Sequence, residues 1–119
     1  MKVAVIGSRN LTIDHLEKYL PPQTEEIVSG GAKGIDQVAK HYAQANDLPL
    51  TEFLPDYTRF KKGAPLQRNL QIIQYADYVL AFWDGKSHGT KFVIDECIKQ
   101  EKPITVYVDG NVWMQSPSV

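Results

Sequence analysis

A single cysteine, Cys97, excludes a disulfide framework and a cysteine-based zinc site, and it fits the reducing conditions of a cytoplasm. No apolar run approaches the roughly 20 residues that a membrane-spanning helix needs. The first residues are strand-like rather than a charged-then-apolar leader, so neither a membrane anchor nor a secretory signal is expected. A basic excess is also lacking: 13 Lys and Arg against 14 Asp and Glu leave a net charge of −1, which argues against a general nucleic-acid coat. His15, His41 and His88 fall in three separate elements, so no metal site and no required cofactor is expected.

What remains is ordinary in amount and informative in order. The 119 residues, 43% hydrophobic and 23% charged, suffice for one domain with its own core. Apolar runs at residues 2–6, 25–28, 50–54, 78–83 and 104–108 predict five strands, the fourth being the longest and the central one. Between them, Ile35, Val38, Ala39, Tyr42 and Ala43 follow helical spacing up to about Asn46. Ile13, Leu16 and Leu20 predict a short first helix that Pro21 and Pro22 end. Leu66, Leu70 and Ile73 predict a third helix with Pro65 in its first turn, and Val93, Cys97 and Ile98 a fourth. Residues 55–64 are read as an irregular loop. Residues 1–110 are expected to form one domain, and residues 111–119 a frayed tail or a partner-contacting arm.

Strands that alternate with helices predict an α/β fold, a five-stranded parallel sheet covered on both faces, with strand order 3-2-1-4-5. Ligands of such sheets bind beyond the C-terminal strand ends, where the order reverses.

Three turns fall at that end. They are Gly7-Ser8-Arg9, then Ser29-Gly30-Gly31-Ala32-Lys33-Gly34-Ile35-Asp36, and Asp84-Gly85-Lys86-Ser87-His88-Gly89-Thr90. Each ends an apolar run in glycine and small hydroxyl residues and then opens a helix, which offers free backbone amides to an anion. Neither the GxGxxG spacing of a dinucleotide site nor the GxxxxGK[ST] of a phosphate-binding P-loop is present. Arg9 can grip a phosphate or carboxylate bidentately. Asp36 either caps its helix or accepts from ribose hydroxyls, and Asp84 is placed to bond a sugar or a base. His88 is either solvated or an acid–base group. Arg68 and Asn69, beside a basic loop, either reach over the crevice or lie exposed on their helix. Tyr57 and Phe60 either stack on a base or pin their loop, and Tyr107 and Trp113 are candidates for a subunit contact. Arg9, Lys33, Arg59, Lys61, Lys62, Arg68, Lys86 and Lys91 lie in or beside the loops after strands, so one end of the molecule is expected to be positive.

Taken together with Pro55-Asp56-Tyr57, Ala76-Asp77 and Phe82-Trp83, these motifs resemble the SLOG superfamily. That group joins the Smf (DNA-processing protein A) proteins to the LOG phosphoribohydrolases, and the small single-domain YspA/YpsA-related branch is the most similar. The resemblance spans nearly the whole chain up to Val108. It implies a Rossmann-like three-layer domain, a bound nucleotide or nucleotide-derived ligand, and a homo-oligomer.

LOG enzymes cleave the N-glycosidic bond of nucleoside monophosphates with an arginine and the glutamate of a GGxGTxxE motif. Arg68 matches the arginine and Gly89-Thr90 the glycine–threonine pair, whereas Val93 stands at the glutamate position. The catalytic candidates for a hydrolase are therefore Arg68, Asp84 and Glu96. The Smf proteins bind single-stranded DNA through a basic pocket on this fold.

The leading expectation is a binding or sensing domain for a nucleotide-like phosphorylated ligand. Its candidate contacts are Gly7, Ser8, Arg9, Ser29, Gly30, Gly31, Lys33, Gly34, Asp36, Arg68, Asn69, Asp84, Gly85, Ser87, Gly89 and Thr90. Nucleoside-monophosphate hydrolysis and single-stranded DNA binding are the alternatives.

Overall fold

The computed structural model describes residues 1–117. Its sheet holds β1 (Lys2–Gly7), β2 (Glu26–Ser29), β3 (Leu50–Glu52), β4 (Tyr78–Phe82), β5 (Ile104–Val108) and β6 (Asn111–Ser116), in the order β3-β2-β1-β4-β5-β6. The first five are parallel and β6 is antiparallel. The helices are α1 (Ile35–Ala45), α2 (Tyr57–Phe60), α3 (Ala64–Tyr75) and α4 (His88–Lys99). No helix among the described residues is long and apolar enough to cross a membrane.

Side-chain alternation along β1 assigns the two faces. Val3 and Val5 join Ile27, Ile35, Ala39 and Leu80 under α1. Ala4 and Ile6 join Ile72, Ile73, Val93, Ile94 and Cys97 under α3 and α4. β1 and β4 pair from Val3–Tyr78 to Gly7–Phe82 and are covered on both faces, which explains their unbroken apolar runs.

The strand count is six, not five. The segment expected to be a tail forms β6 over Asn111–Ser116, joined to β5 by Asp109-Gly110 with φ of 51° and 78°. Two successive positive φ values suit the two-residue hairpin turns that Asp-Gly favours, a signal legible in the sequence and overlooked there. Trp113 sits where the β5–β6 register shifts, with its ring edge-on to Trp83 at 5.2 Å. The last two residues of the expected tail lie outside the described residues.

The expected first helix is reduced to one 3-10 turn, Leu16–Lys18, entered through His15 at a φ of 60°. Asn10, Thr12 and Asp14 are residue types that disfavour helix interiors, and Pro21-Pro22 removes the donors that a longer helix would need. Leu16 is nevertheless buried, and Tyr19, Phe82 and Tyr107 pack together beside it, so this face is closed by aromatic rings. Residues 57–60 are helical rather than irregular, with Asp56 accepting from the Arg59 amide at 3.1 Å.

Two inward faces also differ from expectation. α3 turns Ala64, Arg68, Ile72 and Ile73 inward and leaves Leu66 on the rim. α4 buries Thr90, Val93, Ile94 and Cys97 and exposes Ile98.

Candidate ligand-binding site

Because β1 lies between β2 and β4, the turns that follow these three strands are neighbours at one end of the sheet. The β1 turn is the tightest. A Cβ at Gly7 would stand 2.5 Å from both Ile35 Cγ1 and the Phe82 carbonyl, so glycine is required there by space rather than by dihedral angle. Ser8 is buried; its amide donates to the Phe82 carbonyl at 3.0 Å. Its hydroxyl accepts from the Asp84 amide at 3.1 Å and pairs with the Ser87 hydroxyl at 2.7 Å. One serine thus ties the β1 turn to the β4 turn.

The β2–α1 loop forms a second wall. Gly31 and Gly34 take φ of 68° and 70°, and a Cβ on Gly34 would meet the Arg9 carbonyl at 2.6 Å, which packs this loop on the first turn. Asp36, 6% exposed in the first turn of α1, accepts from the Ala32 amide at 3.0 Å. Arg68 reaches across from α3, 7% exposed, donating from Nη1 to the Gly30 carbonyl at 2.6 Å and from Nε to Asn69 Oδ1 at 2.9 Å. A Cβ on Gly30 would lie 2.7 Å from Arg68 Nη1 and 3.1 Å from Asp36 Oδ2. Gly30 is where the two buried charges converge.

The third wall is the start of α4. Ser87 precedes it without a side-chain cap, so the first-turn amides of this 12-residue helix lack that partner. Asp84 shapes the turn instead. Its Oδ1 accepts from the Lys86 and Ser87 amides, both at 2.8 Å, and Trp83 Nε1 donates to the Ser87 carbonyl at 3.0 Å.

The walls enclose a cavity of about 290 Å³. Of the residues expected to bind a ligand, Gly7, Ser8, Arg9, Gly30, Asp36, Arg68, Asn69, Ser87, Gly89 and Thr90 line it. Ser29, Gly31, Lys33, Gly34, Asp84 and Gly85 do not. The Ser29 hydroxyl accepts from the Gly31 amide within the loop at 3.4 Å, and Lys33 is exposed. Glu96 also lies off the cavity, bonded to Gln100 on the side of α4, and His88 is exposed at the helix start. Sequence reasoning missed Asn10, Ala32 and the apolar floor of Ile6, Ile72 and Val93. The floor carries no motif, because its side chains read simply as core.

A scan against protein-family models, a search of curated proteins and a search of solved structures each found no match. The chemistry of the site therefore rests on its own residues.

Burial raises the Asp36 carboxyl above its ordinary range, opposed by the Ala32 amide and by Arg68. Burial lowers the Arg68 guanidinium, again opposed by Asp36 and assisted by Arg9. Asp84 moves the other way, down to about 2, because the Ser87 and Lys86 amides stabilise its charge. Cys97 is pushed up to about 12 by burial, which leaves its thiol protonated and unreactive. No group of three or more His, Cys, Asp or Glu among the described residues is arranged to hold a metal ion.

Proposed function

We propose that the protein binds a nucleotide or nucleotide-derived phosphorylated ligand at the C-terminal ends of β1, β2 and β4, on a Rossmann-like domain of the SLOG superfamily. The observation that carries this reading is the buried Arg68 guanidinium lining the same cavity as the uncapped first turn of α4. Holding a cation out of water costs free energy that an anion in the cavity offsets. Arg68 Nε and Nη1 are engaged by Asn69 and Gly30, which leaves Nη2 for the ligand. Arg9, Ser8, Ser87 and the amides of Gly89 and Thr90 complete an anion receptor. The double variant Arg9→Ala/Arg68→Ala is expected to lose the thermal protection that nucleoside phosphates give the wild-type protein. Equal protection of both proteins would sink the reading.

Hydrolysis of the N-glycosidic bond is the second reading, and the cavity floor bears on it directly. Val93, at the position of the LOG glutamate, lines the cavity as an apolar side chain. Glu96 faces elsewhere, and Asp84 Oδ1 is occupied by two amides. These residues favour binding over turnover. Release of free base from a panel of nucleoside monophosphates at high protein concentration would reverse that preference.

Single-stranded DNA binding would show affinity falling steeply with salt. Arg9 and Arg68 are the only cations among the described residues that line the cavity, which suits one nucleotide better than a strand. For the homo-oligomer that the resemblance implies, the candidate surface is edge strand β6, where Val112 and Trp113 are both more than half exposed. Sedimentation at increasing concentration tests it.

A further inference from the structure

The cavity is not uniformly an anion receptor. The β4 side offers hydroxyls and uncapped amides, whereas the β2 side presents the Asp36 carboxylate beside Arg68. A phosphate against Asp36 would meet like charge, which favours placing it between Arg68 and the α4 amides and leaves Asp36 to the neighbouring sugar.

Asp36 is the one acidic residue lining the cavity among those described, and it is buried. Its Oδ2 accepts from the Ala32 amide at 3.0 Å and the Gly30 amide adds to the stabilisation of its charge, which still leaves acceptor capacity on a carboxylate that lines the cavity. A carboxylate with spare acceptor capacity in a pocket calls for a donor, and a sugar hydroxyl is the donor that a nucleotide carries beside its phosphate. A volume of about 290 Å³ stands at the lower limit of small-molecule sites, about 300 Å³. It accommodates one phosphorylated sugar. Leu66 and Tyr57, both exposed, with Leu66 lining the opening, leave an apolar rim for the base.

We infer that Asp36 is a specificity-determining residue that accepts hydrogen bonds from the ribose hydroxyls, so that the site takes ribonucleoside 5′-monophosphates in preference to their 2′-deoxy counterparts. The inference rests on the nucleotide reading above and deepens it. A buried acceptor left without its donor penalises the ligand that lacks the hydroxyl, and hydrogen bonds to charged groups set the preference at about tenfold or more.

The test is calorimetric titration of the full chain with AMP, CMP, GMP and UMP, with their four 2′-deoxy forms, and with 2′-O-methyl AMP. Ribonucleotides are expected to bind about tenfold or more tightly than deoxynucleotides, and 2′-O-methyl AMP to bind no better than deoxy-AMP. In Asp36→Asn, which retains an acceptor for the Ala32 amide, the preference should collapse through loss of ribonucleotide affinity, while deoxynucleotide affinity stays within a few-fold. Equal wild-type affinities for the two sugars, or an Asp36→Asn protein that still discriminates, would overturn the role of Asp36 and leave nucleotide binding standing. Failure of all nine compounds to bind would overturn both. The wild-type comparison needs no variant, so it decides the matter even if Asp36→Asn does not fold.

Discussion

Gly30 and Gly89 line different walls of one cavity, yet a methyl group on Gly30 would lie 2.7 Å from Arg68 Nη1, while one on Gly89 would meet nothing within 4 Å. The β2 wall is closed and filled: glycine there makes room for side chains of the protein itself, two of them charged and buried. The α4 wall is open, and its glycine faces free space at the edge of the cavity. The aspartates of the two walls repeat the contrast. Asp36 is raised by burial, and Asp84 is lowered by amides that the turn already supplies. One wall is arranged around a group that still has bonding capacity, and the other holds its acid in a structural turn.

Five substitutions break or sharpen this contrast. The largest effect is expected at the hinge between the walls, where Gly7→Ala drives a Cβ against the Phe82 carbonyl and Ile35. Neither can move without disturbing the sheet core, so urea unfolding should show a loss of about 3 kcal/mol. On the filled wall, Gly30→Ala should cost about 1–2 kcal/mol and weaken nucleotide binding as strongly as loss of Arg68, because the new methyl displaces the guanidinium. A variant with intact binding would show that Arg68 need not be held at Gly30.

The aspartates come next, read by thermal melts across pH. Asp84 has a folded pKa of about 2, below the ordinary value of about 4, so its stabilising contribution is present above about pH 4 and is lost as pH falls toward 2. Asp84→Asn should therefore melt lower than wild type at neutral pH, with the gap closing on acidification. Asp36 carries the opposite sign. Its folded pKa is raised, so the wild-type protein loses stability relative to Asp36→Asn as pH climbs from about 4 through the folded value. Arg68 of α3 opposes that shift and Glu52 of β3 adds to it. Parallel pH profiles for the two variants would erase the distinction between the walls.

The smallest effect is expected on the open wall. Gly89→Ala meets no atom and lies in a helix, so it should gain up to about 0.5 kcal/mol. Gly89 lines the cavity, so on the proposed reading nucleotide affinity should fall although stability rises. A gain in both would mean that the α4 wall does not contact the ligand.

The contrast also explains how much of the site was legible in the sequence. Glycine and hydroxyl residues after apolar runs marked all three turns, because a strand-to-helix turn leaves a local signature. Ten of the expected contacts do line the cavity. Sequence spacing could not separate Gly30, which faces the cavity, from Gly31 and Gly34, which face Leu54 and the Arg9 carbonyl. These three glycines serve one loop and differ only in what packs on them. Arg68 presented the same difficulty: helical periodicity seeded from Leu66 and Leu70 leaves its orientation open, whereas the real face runs Ala64, Arg68, Ile72. A polar residue in an inward face is visible only once its partners, here Gly30 and Asn69, have been brought to it.

The amino-acid order alone determined the alternation of strands and helices and the location of the three turns, because these follow from periodicity and from the short reach of backbone hydrogen bonds, and the order of the first five strands followed from that alternation by the rules of parallel crossover. The tertiary structure alone decided that residues 111–116 close the sheet as a sixth strand, that the first helix gives way to a single turn, and that Asp36 and Arg68 meet over Gly30. Those outcomes depend on contacts between segments far apart in the chain, such as Gly30 with Arg68 and Tyr19 with Tyr107, and no local pattern carries the free energy of a partner that folding has yet to deliver.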